Sequence, residues 1–94
     1  MAATNFRTEK LLKELEALFQ YRLDNFEDLK YFALSENKDQ VKFFSGKGRG
    51  LRRSISRLLI AFDLTGTELY EKNDKFFELE YLAEREAELS QLNE

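Results

Sequence analysis

Leu11, Leu12, Leu15, Leu18 and Phe19 recur at three- and four-residue steps, with Lys10, Lys13, Glu14 and Glu16 between them. That spacing lines up one face of a helix. Thr4 or Asn5 can cap it by accepting amide protons that a helix start leaves unpaired. Arg22 falls in the middle of the same stripe, so the pattern places the helix end at residues 21–23. Asp24, three residues ahead of Glu27 and preceded by Leu23 as a staple, then reads as close to a capping box for a second helix, residues 25–34, burying Phe26, Leu29, Phe32 and Ala33. Residues 35–39 are polar enough for a turn, and Ser35 can cap a short helix through Val41, Phe43 and Phe44; a strand at 40–44 is the alternative.

Residues 45–50, Ser-Gly-Lys-Gly-Arg-Gly, hold three of the four glycines and read as a loop. Beyond it Leu51, Ile55, Leu58, Leu59 and Phe62 form another stripe, with Arg52, Arg53 and Arg57 off it. Ile60 lies opposite, as in a central helix enclosed by neighbours. Gly66 suits a left-handed stop and Thr67 a new cap, although a hairpin over residues 58–71 would also fit. From Leu69 to Leu92 the pattern gives one helix or two, with Asn73 and Asp74 as the interruption. Residues 83–94 read as a solvated helical tail or short coiled coil.

Composition agrees with helices. Sixteen Leu stand against two Ile and one Val, and proline is absent. The expectation is an all-α, single-domain bundle of four to six helices over residues 1–94, with a Gly-rich loop before a central helix. No membrane-length apolar run and no basic leader occur, so a cytoplasmic protein without membrane contact is expected.

The absence of His and Cys removes the usual general base, the thiol nucleophile and the commonest zinc ligands. A non-enzymatic protein with no cofactor, no metal and no small-molecule substrate is therefore expected. The glycines do not rescue nucleotide chemistry, because Lys47 is followed by Gly48 and Arg49 rather than by the Ser or Thr of a phosphate-binding loop. Glu80, Glu84 and Glu88 share a helix face, but without His they read as a solvated acidic stripe rather than a metal site.

The net charge of −3 conceals segregation: residues 46–63 carry +4 and residues 64–94 carry −6. Folding could mix these charges over the surface, or leave two patches that each need a partner of opposite sign. In the second case Lys47, Arg49, Arg52, Arg53 and Arg57 form a basic patch, and Glu27, Asp28, Glu80, Glu84 and Glu88 an acidic one. The expected function is then a protein-interaction or adaptor module whose partner is another protein or a copy of itself. The alternative is a transcription-linked protein contacting nucleic-acid phosphates through residues 46–57, against which the acidic balance of the whole chain weighs.

Residues 26–34, Phe-Glu-Asp-Leu-Lys-Tyr-Phe-Ala-Leu, resemble the second helix of death-fold domains. Residues 51–59, Leu-Arg-Arg-Ser-Ile-Ser-Arg-Leu-Leu, followed by Gly66 and Leu69, resemble bacterial effector-associated, death-like domains; together the likeness spans about residues 11–72. It implies a six-helix interaction module for signalling or defence, with Arg52, Arg53 and Arg57 on a basic contact face and Glu27 and Asp28 on an acidic one.

Overall fold

A computed structural model describes residues 6–92, all of whose regular structure is helical: α1 (Phe6–Leu34), α2 (Lys38–Ala61), α3 (Glu68–Lys75) and α4 (Phe77–Leu92). Only Phe76 separates α3 from α4, and its N–H still donates to the Lys72 carbonyl in a helical conformation. The architecture is therefore all-helical, with α3 and α4 forming one arm bent once against α1 and α2. The cap expected at Thr4 or Asn5 lies outside the described residues.

Two expected breaks do not occur, and the interruption expected at Asn73 and Asp74 falls instead at Phe76. The first is at residues 21–25, where α1 runs straight through Arg22, Asp24 and Asn25. Arg22 stays in the apolar stripe because its charge is met inside the fold, and the residues read as a capping box lie mid-helix. The second is the Gly-rich segment, which is not a loop: Gly46, Gly48 and Gly50 all lie inside α2. Glycine costs a helix about 1 kcal/mol relative to alanine, an amount that tertiary packing can offset. Residues 40–44 and 58–61 are also helical, which removes both strand readings.

The turns follow local chemistry. At residues 35–37, Glu36 takes a left-handed conformation, and Asn37 rather than Ser35 caps α2, its Oδ1 accepting from the Gln40 N–H at 3.2 Å. At the far end of α2 the left-handed residue is Asp63, not Gly66, which has no positive φ. Thr67 caps α3 as its sequence position predicts: Oγ1 accepts from the Tyr70 N–H and donates to the Leu64 carbonyl at 2.6 Å.

Burial is concentrated in two apolar clusters. One joins Leu15 of α1, Ile55 and Leu59 of α2 and Leu69 of α3, with Leu11, Leu12 and Phe19 against it. The other joins Leu29, Val41 and Ala87, with Phe26, Phe32, Phe44 and Ala83 around it. Since Ala87 is buried, α4 packs on the body well into the stretch read as a solvated tail. Ile60 and Phe62 are more than half exposed, so α2 is open to solvent along one side instead of enclosed. With principal extents of 57 × 17 × 15 Å, the domain is long and its core correspondingly thin.

Candidate functional site

Between the two apolar clusters lies a polar layer, its members Arg22 and Asn25 of α1, Ser45 of α2, Asn73 of α3 and Glu80 of α4, all buried. Helical spacing puts Arg22 seven residues after Leu15 and seven before Leu29, so the guanidinium enters on the face that α1 uses for both clusters. Its Nε donates to Glu80 Oε2 at 3.1 Å and its Nη2 to Glu80 Oε1, a two-pronged pairing. Nη1 donates to both the carbonyl and the Oδ1 of Asn73. The Asn73 amide then donates to the Arg52 carbonyl at 3.0 Å, which ties α3 to α2.

Phe76, at the bend, packs edge-on against Phe19 and Phe26 with ring centroids 5.8 and 5.1 Å away, and Arg22 lies over its ring. The bend thus sits against one stretch of α1, on both sides of Arg22. Gly48 completes the layer, because a Cβ there would lie 2.6 Å from Glu80 Oε2. Two buried oxygens, Asn25 Oδ1 and Ser45 Oγ, have no hydrogen-bond partner among the described residues, while the Asn25 amide donates to the Phe44 carbonyl.

The residues expected to form a basic patch divide into two groups. Lys47 donates to the Tyr21 hydroxyl at 3.1 Å and lies over its ring, Arg49 pairs with Glu84 at 3.3 Å, and Arg52 pairs with Asp74 at 2.9 Å over the Phe77 ring. Arg53 and Arg57, one turn apart on the outer side of α2, are exposed and form no ion pair among the described residues. With Arg52 and Ser56 they border a surface groove of about 500 Å³.

The residues expected to form an acidic patch are dispersed. Glu27 pairs with Lys30 on α1 and Asp28 is exposed beside it. Glu80 is in the interior and Glu84 is held by Arg49, which leaves Glu88 exposed near Lys38 and Lys42. Part of the segregated charge is therefore paired within the chain, Arg49 and Arg52 of α2 meeting Glu84 of α4 and Asp74 of α3 at the surface. No group of three or more acidic residues able to hold a metal ion occurs among the described residues. On α3 the Lys75 ammonium, by hydrogen bond and then by charge, holds the Glu71 carboxyl below its ordinary range, and Glu71 raises Lys75 by the same two effects. Both are largely exposed, so the pair steadies a helix turn and forms no site.

Sequence reasoning missed Arg22, Asn73 and Gly48 as members of one constellation. The available signal was an arginine in phase with a leucine stripe. No described helix is long and apolar enough to cross a membrane. Comparison with family models, with curated proteins and with solved structures finds no match to the chain.

Proposed function

We propose that the domain is a non-enzymatic protein-interaction module that docks an acidic surface of another protein on the outer side of α2. The observation that carries this reading is the unequal treatment of the α2 cations. Arg49 and Arg52 are committed to Glu84 and Asp74, whereas Arg53 and Arg57 stand exposed beside a groove with no ion pair among the described residues. Arginine offers a fork of donors to carboxylates, and unpaired charge at a rim governs partner choice and encounter rate more than raw affinity. Arg53→Glu with Arg57→Glu should abolish capture of the partner protein while helicity and unfolding midpoint stay unchanged. Unchanged capture by that variant rejects the reading.

A second reading, contact with nucleic-acid phosphate, is favoured by the same groove, where Arg52, Arg53 and Arg57 converge around Ser56. Binding to a random duplex over a salt series separates the two. Phosphate contacts give a steep salt slope, and the protein-docking reading expects no duplex binding.

A further inference from the structure

We propose that α4 carries a second contact surface, distinct from the α2 face, on which the chain pairs in parallel with a second copy of itself. α4 turns Glu80, Ala83 and Ala87 toward α1 and α2. On its opposite side Leu82 and Leu89, seven residues apart, are about half exposed, and Leu79 lies beside them with half its surface in water. A seven-residue leucine repeat is the spacing at which two helices can share a seam.

The flanks of this seam choose the partner and its direction. At 100° per residue, Arg85 and Glu86 fall on opposite sides of the line joining Leu82 and Leu89. Both are exposed, and neither forms an ion pair among the described residues. A two-fold axis along the seam sets the left flank of one helix against the right flank of the other. Arg85 of each protomer then meets Glu86 of its partner, twice over, with Leu82 on Leu82 and Leu89 on Leu89. An antiparallel pair would instead set Arg85 against Arg85. The contact is self-complementary and closes at two copies.

The seam also continues into a groove of about 350 Å³ between α4 and the end of α1, bordered by Lys30, Ala33, Leu34 and Ala83, with Glu86 on its edge.

Sedimentation of the full chain tests the proposal, with twice the 11.2 kDa chain mass as the expected result at about 100 μM, a concentration well above the Kd of an ordinary specific interface. Leu82→Glu with Leu89→Glu should sediment as a monomer with unchanged helicity, since neither side chain belongs to the interior. Arg85→Glu alone and Glu86→Arg alone should each weaken the dimer about tenfold, and the two together should restore it. A monomeric wild-type chain overturns the proposal, as does a dimer that survives the leucine changes. Failure of the paired charge reversal to restore association overturns the parallel arrangement. The Arg53 and Arg57 reversal leaves this surface untouched, so failure of the α2 docking reading and failure of the dimer are separately visible.

Discussion

Glu80 of α4 and Gly48 of α2 approach so closely that a single added carbon at position 48 would sit 2.6 Å from the Glu80 carboxylate. That carboxylate cannot easily give way, because Arg22 holds both of its oxygens. The three glycines of α2 therefore have different meanings, although they look equivalent in the sequence. Gly48→Ala should lower stability by about 1–3 kcal/mol, the usual cost of overpacking. Gly46→Ala and Gly50→Ala, where nothing lies within 4 Å of the new carbon, should each raise it by about 0.5–1 kcal/mol. Urea midpoints of the three variants check this, and a stabilising Gly48→Ala would contradict the close approach.

Removal of one partner from the interior ion pair should be far more costly than removal of both. Glu80→Ala leaves the fully buried Arg22 guanidinium without its carboxylate, for an expected loss of about 3–5 kcal/mol. Arg22→Met combined with Glu80→Met should recover most of that loss, since apolar residues of similar volume often replace a buried pair with little penalty. Equilibrium unfolding of the single and double variants provides the comparison. A Glu80→Ala protein as stable as the wild type would mean that the pair is solvated.

Asn73 and Ser45 make a contrasting pair of buried polar residues. Asn73 accepts from Arg22 and donates to the Arg52 carbonyl, so Asn73→Ala should cost about 1–3 kcal/mol by removing both of these buried bonds, although Arg22 keeps the backbone carbonyl of residue 73. Ser45 Oγ has no hydrogen-bond partner among the described residues, so Ser45→Ala should be neutral or slightly stabilising. Thermal midpoints suffice to rank them, and equal losses at both sites would refute the assignment.

The exposed arginines should separate function from folding. Arg53→Glu and Arg57→Glu should leave the unfolding midpoint within the scatter of surface substitutions, about 0.5 kcal/mol. Arg52→Glu should be more damaging, because it places a carboxylate against Asp74 and removes the cation over Phe77. Loss of stability in the first two variants would show that their side chains serve the fold.

What was legible in the sequence was whatever depended on near neighbours. The stripe from Leu11 to Phe19, except for the exposed Leu18, the polar turn after Leu34 and the Thr67 cap each rest on residues within a few positions, and each has a counterpart in the fold. The stop assigned to Arg22 failed because its neutralising partner lies 58 residues away, beyond any local periodicity. The Gly-rich segment failed for a related reason, since the requirement at Gly48 comes from a side chain on another helix. The acidic stripe of Glu80, Glu84 and Glu88 was correct as spacing but not as environment. Periodicity puts residues on one face without saying what covers that face, and here Arg22 and Arg49 cover part of it.

The uninterrupted run of α1 has a consequence of scale. Its 29 residues extend about 43 Å at the helical rise. Phe6 stands exposed at one end and Leu34 at the other, with no hinge between them. A single unbroken helix thus sets the separation of the two apolar clusters, since Leu15 and Leu29 lie about 21 Å apart along it.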